Sequence, residues 1–168
     1  MIRGKKMRRP LRRLKIQDEL DENVDLDQDF IDDGSEPTLL SAINCIVTLA
    51  EDSALSNAFF EKAERFINYV SERQSITRMQ AVLLALFIES SAAGNKSDFS
   101  DLASYLDCKN VQVLQYKGEV DGLVRKGLLR MIRNNMNGDY DYAVAPSLLD
   151  SLSRNEPFLR KSYKNATG

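Results

Sequence analysis

The stretch Gly118–Asn134, GEVDGLVRKGLLRMIRN, decides the fold. Leu123, Val124 and Leu128 give its first half an apolar edge, as a helix packed on one side requires. That helix is expected to close on Arg125 and Lys126. Gly127 then stands where a left-handed cap is needed, and apolar residues lead on into a strand.

Upstream of this hinge, Thr77 is placed to cap a helix reaching about Ser90, in which MQAVLLALFIES is apolar on most sides. SAAGNKSD reads as a loop and Phe99 as a short strand. Ser100 is expected to cap a short helix with Leu102, Ala103 and Leu106 facing inward. After the turn CKN, the next helix runs from about Val111 to Lys126. Downstream, Leu128–Ile132 and Tyr140–Ala145 read as two strands around a turn carrying Asn137, Gly138 and Asp139. Pro146 ends the second strand, and a last helix covers Ser147–Ser153. The order predicts a mainly α fold with a small β-hairpin wing: a winged helix-turn-helix over residues 74–156.

Ahead of it, residues 37–73 read as an αα-hairpin. Glu36-Pro37 opens the structure and Thr38 is a plausible N-cap. Leu39, Leu40, Ile43, Ile46, Val47 and Ala50 then recur at helical spacing. Ser53 is placed to cap a second helix, whose Phe59, Ala63, Phe66 and Val70 form one stripe opposite Glu61, Lys62, Glu64 and Arg65. This hairpin is expected to pack on the winged helix or on a second copy, giving a homo-oligomer through residues 38–72.

Charge is segregated at the N-terminus. Met1–Lys15 holds eight basic residues and no acid, whereas Gln17–Glu36 holds ten acids and no base. The remainder carries fifteen of each sign and is neutral. Residues 1–36 therefore read as a disordered basic-then-acidic tail, and residues 157–168 as a polar, basic one. Arg8, Arg9, Arg12 and Arg13 could hold nucleic acid by releasing counterions, but the carboxylates downstream compete for the same cations.

Several chemistries are disfavoured. With no histidine, the chain lacks the commonest general base and the commonest zinc ligand. Cys45 and Cys108 have no CxxC spacing and read as small buried residues in a reducing compartment. There is no phosphate-binding GxxxxGK[ST] loop, and Glu61 and Glu64 lie beside Lys62 and Arg65, where surface pairing is the simpler account. Neither a membrane-length apolar run nor the apolar segment of a signal peptide is present, so a soluble cytoplasmic protein is expected. No cofactor, metal or catalytic residue is assigned.

What remains is binding. With Val113, Tyr116, Val120, Leu123 and Val124 inward, the third helix turns Gln112, Gln115, Lys117, Glu119 and Gly122 outward. Lys109, Asn110, Gln112, Gln115 and Lys117, with Arg130 and Arg133 on the wing, are the candidate contacts to DNA or to a protein partner. Against DNA stand Glu119, Asp121, Asp139 and Asp141, interleaved with those cations. Tyr116, Tyr140 and Tyr142 could stack on single strands but suit packing better, and Met131 and Met136 could anchor a partner.

SITRMQAVLLALFIES, DFSDLASYLDCKNVQVLQYKGEVDGLVRKGLL and YDYAVAPSLLDSLSRNEPF together resemble the winged-helix accessory domain ahead of the ATPase module in bacterial AAA+ ATPases. The likeness covers about Ser75–Phe158 and includes a DLAxxL helix, LxxxGLL entering the wing, and a closing LxxNxPF-like run from Leu152 to Phe158. It implies a recruiting or regulatory module before an ATP-driven motor, with ATP binding confined to the parent protein. The chain ends near where that motor would begin.

Overall fold

A computed structural model describes residues 37–134 and 139–158. Residues 1–36, including Arg8, Arg9, Arg12 and Arg13, lie outside them, as do Met136, the Asn137-Gly138 turn and residues 159–168. The described residues are mostly helical, with a two-stranded antiparallel sheet.

Helix α1 (Leu39–Ala50) begins at Thr38, whose hydroxyl accepts the Ser41 N–H while Ser41 Oγ accepts the Thr38 N–H, a reciprocal cap. Its Ile43, Ile46, Val47 and Ala50 are buried as the spacing predicts, but Leu40 points to solvent. Helix α2 (Asn57–Gln74) is capped by Ser56 rather than Ser53. Ser53 instead accepts the Leu55 N–H inside a tight loop where Asp52, Ala54 and Leu55 all take positive φ. Bonds from Asp52 N to Tyr105 O and from Ala54 N to Leu106 O hold that loop. The Phe59, Ala63, Phe66 and Val70 stripe is buried within the fold, and α1 and α2 pack on each other.

Helix α3 (Arg78–Ala92), capped by Thr77, runs through the centre, and Ala81–Ile88 is buried without interruption. α1, α2 and the sheet all pack on it. Burying a leucine or phenylalanine contributes roughly 1.5–3 kcal/mol, so Leu83, Leu84 and Phe87 are principal anchors.

The expected strand at Phe99 is replaced by the first turn of α4 (Phe99–Leu106). Asp98, not Ser100, is its cap, because its carboxylate accepts the Asp101 N–H. Strand character survives only at Ser97, which exchanges two backbone hydrogen bonds with Tyr142. The single helix expected from Val111 to Lys126 is broken: α5 (Asn110–Val113), a 3₁₀ turn (Leu114–Tyr116), then α6 (Lys117–Arg125).

Gly127, at φ 82°, closes α6 as expected, its N–H bonding Val124 O while Leu128 N–H reaches back to Leu123 O. The same paired closure ends α3 at Gly94 and α4 at Asp107, whereas at left-handed Ser75, closing α2, the Ser75 and Ile76 N–H groups both reach Ser71 O. β1 (Leu129–Arg133) and β2 (Tyr140–Val144) pair from Leu129 opposite Val144 to Arg133 opposite Tyr140. Val144 N–H bonds Ser91 Oγ, fastening β2 to the end of α3.

Pro146 starts α7 (Pro146–Ser153) at its first turn, where a missing N–H costs nothing. The Leu152–Phe158 run has a structural account. Leu152 is buried, and Asn155, left-handed at φ 56°, accepts the Leu39 N–H through Oδ1 at 2.9 Å. Phe158 N–H donates to the buried Gln74 Oε1 at 3.0 Å. These bonds tie the end of the described chain to the start of α1 and the end of α2.

Candidate functional site

The exposed large apolar side chains of the described body are Leu40, Val111, Leu114, Met131 and Tyr140. Leu40 is on α1; the other four lie in the α5–α6 segment and the hairpin. Val111 is 67% exposed and Leu114 55%. They stand away from the inward set of this segment, where Val113, Val120 and Leu123 are buried and Tyr116 is half-buried.

The hairpin register explains its share. Residues paired across the ladder share a sheet face, so Leu129, Met131 and Arg133 lie with Val144, Tyr142 and Tyr140. Leu129, Val144 and Tyr142 are buried at the inner end of this face, Tyr142 against the rings of Phe87 and Phe99, each at 5.7 Å. Met131 and Tyr140, 46% and 41% exposed, continue it past the core. Arg130, Ile132 and Asp141 belong to the opposite face.

Tyr142 links the hairpin to α6. Burial pushes its hydroxyl pKa up, with the charge of Lys117 acting downward and those of Asp121 and Tyr140 upward. The start of α6 is thus within electrostatic range of the strand position opposite Met131. At the other end of the segment, Tyr116 and Cys108 are neighbours, and burial raises both pKa values. Asp107 adds to the rise at Cys108. A thiol held protonated is a poor nucleophile and a poor metal ligand.

The sequence-derived candidates divide. Lys109, Asn110, Gln112, Gln115, Lys117, Arg130 and Arg133 are all exposed. Yet Gln112 Oε1 accepts the Lys109 N–H at 3.3 Å, and Gln115 Nε2 donates to Gln112 O at 2.8 Å, engaging two amides that base reading would require. Lys117 pairs with Asp121 at 3.4 Å across an exposed helical turn, a contact worth well under about 1 kcal/mol and readily exchanged.

Glu119 and Gly122, expected outward, face α3 instead. Glu119 accepts the Thr77 hydroxyl at 3.1 Å, and its carbonyl accepts Gln80 Nε2 at 3.3 Å. Gly122 is buried against that same amide. Polar residues and a glycine carry no apolar signature, so the capping residue of another helix, about forty positions upstream, was the signal that spacing alone omits. Val111 and Leu114 were also passed over, although their displacement from the Val113, Tyr116, Val120 stripe is visible in the sequence.

Among the described residues no group of His, Cys, Asp or Glu side chains gathers as a metal site, and no helix is long and apolar enough to cross a membrane. No family model, curated protein or solved structure matches this chain.

Proposed function

We propose that this protein is a non-catalytic, cytoplasmic interaction module of the winged-helix class that recruits a protein partner through α5, the start of α6 and the hairpin. The order α3, bridging Ser97, α4, α5–α6, β1, β2 supports the winged-helix reading, with Ser97 in the place of the short first strand beside β2. The observation that carries the docking reading is that four of the five exposed large apolar side chains of the described body, Val111, Leu114, Met131 and Tyr140, fall in the α5–α6 segment and the hairpin. Exposed large apolar groups concentrated in one part of a chain's surface elements favour an interaction role over ones scattered through it. By its resemblance to the accessory domains of AAA+ ATPases, the module would bring a substrate or regulator to an ATP-driven motor.

DNA is the second reading, favoured by the exposure of Lys109, Lys117, Arg130 and Arg133. A groove-reading helix supplies free amide edges and several phosphate contacts. Here Gln112 and Gln115 are tied to backbone, Lys117 faces Asp121, and the 3₁₀ turn interrupts the helix.

The test is a photo-crosslinking residue installed at Leu114 or, as control, at Glu61, together with duplex-binding anisotropy across a salt series. Crosslinking to one protein species from Leu114 alone, with duplex affinity lost when Arg8, Arg9, Arg12 and Arg13 are replaced, supports the reading. Steeply salt-dependent duplex binding that survives those tail substitutions overturns it.

A further inference from the structure

The two edges of the hairpin differ in how their backbone groups are used. The bonds from Asn134 N–H to Asp139 O and from Ala145 N–H to Leu128 O mark the two ends of the ladder. With the register unbroken between them, Arg130 with Ala143 and Ile132 with Asp141 make the bonds inside the sheet. The alternate residues point their N–H and C=O groups outward. On β2 that edge is covered at Tyr142, which exchanges backbone bonds with Ser97, and at Val144, whose N–H meets Ser91 Oγ. On β1 no described residue bonds to the outward backbone groups of Met131 or Arg133. Both residues are exposed, whereas Leu129 at the inner end is buried. β1 therefore shows these N–H and C=O groups in a row, with no proline, glycine or bulge to discourage pairing.

We infer that a second copy of this chain adds its own β1 to this edge, antiparallel about a two-fold axis at Ile132, so that the two hairpins form one continuous sheet. An open row of N–H and C=O groups is met by extended backbone, and the matching open row among the described residues is β1 of another copy. In this register Met131 of each copy lies opposite Arg133 of the other, so every open donor meets an open acceptor. A register centred on Met131 would instead require the buried Leu129 to pair. Ile132, half-buried in one copy, faces its own counterpart, and the two side chains close over the axis. Like charges do not stand directly opposite one another, since Arg133 meets Met131 and Arg130 meets Asn134. The two Arg133 side chains become diagonal neighbours, so added salt tightens the pair. The contact is small and led by backbone, which gives a weak, concentration-dependent dimer. It goes beyond the docking reading and rests on none of its exposed side chains.

The experiment combines sedimentation of the full chain over a concentration series with amide hydrogen exchange. A dimer is expected whose growth protects the Met131 and Arg133 amides, while those of Arg130 and Ile132 are protected throughout. Met131→Pro removes an N–H that the ladder does not use, so the hairpin is retained and dimerisation should weaken at least about tenfold. Under mild oxidation Ile132→Cys should link two copies through position 132, where opposed Cα atoms lie about 4.5 Å apart. Met131→Cys, with its counterpart on the diagonal at roughly 7–8 Å, should not. The two cysteine variants decide the matter by themselves should the proline variant lose its fold. A monomer at every concentration, with those amides open, overturns the inference. Protection independent of concentration also overturns it, because another part of the same chain would then cover the edge. A dimer indifferent to Met131→Pro and to cysteine position does so too, and would locate self-association elsewhere, as in residues 38–72.

Discussion

Gly122 of α6 lies flush against the Gln80 side chain of α3, so close that a Cβ there would collide with Gln80 Nε2. Gln80 is fixed on both sides. Its Oε1 accepts the Thr77 N–H at 3.1 Å and its Nε2 donates to Glu119 O at 3.3 Å. One buried amide therefore caps α3 and sets the distance to α6.

Gly122→Ala should destabilise the fold by about 1–2 kcal/mol, because the amide can move only by giving up those bonds. Gly118→Ala, four residues earlier on the same helix with open space above it, should instead gain roughly 0.5–1 kcal/mol. Urea unfolding of the two variants checks both signs. A neutral Gly122→Ala would mean that the Gln80 clasp is slack.

Left-handed residues offer a second test. Ala54 holds φ 52° with a side chain that disfavours it, so Ala54→Gly should stabilise by about 1 kcal/mol. Gly127→Ala places a Cβ in the same disfavoured region and should lose about 1–2 kcal/mol. Thermal melts of the pair should move in opposite directions.

Asn155 combines a left-handed backbone with the cap on Leu39. Asn155→Gly keeps the first and removes the second, costing about 1 kcal/mol. Asn155→Ala loses both and should cost about 2 kcal/mol. Hydrogen exchange should show the Leu39 amide deprotected in both variants, with the Gln80 clasp untouched.

Cys108 gives a pH-dependent reading. Burial first, and then the Asp107 charge, raises its thiol pKa, so the thiolate fraction at any given pH is smaller than for a free thiol. Its alkylation by iodoacetamide should therefore be slow at neutral pH and accelerate only above the ordinary thiol range. Asp107→Asn should move that rise to lower pH without restoring free-thiol behaviour, since burial is the larger cause. An alkylation profile matching a free thiol would contradict this placement.

Much of the architecture was legible because it is written locally. Thr38 and Thr77 cap the helices they precede, and Gly127 closes α6 where apolar spacing ends. Phe59, Ala63, Phe66 and Val70 repeat at helical intervals and are buried. Phe99 misled because an aromatic beside a loop suits a strand, while the Asp98 carboxylate decides for a helix by taking the Asp101 N–H. The break at Leu114–Tyr116 is invisible to pattern, since Val113, Tyr116, Val120 and Leu123 keep an unbroken inward stripe across it. The exposure of Lys109, Lys117 and Arg133 was readable from their charge. The inward turn of Glu119 and Gly122 was not, because it depends on Thr77 and Gln80 in another helix.

The bond from Leu39 N–H to Asn155 Oδ1 spans 116 positions of sequence. On the ribosome, the first turn of α1 must wait for nearly the whole folded region to be made before this donor meets its partner. α1 and α2 can associate early through Phe59, Phe66 and Ile46, but their final seam closes only when α7 emerges. A nascent chain stalled before Asn155 would thus present a hairpin with an open end to proteases and chaperones.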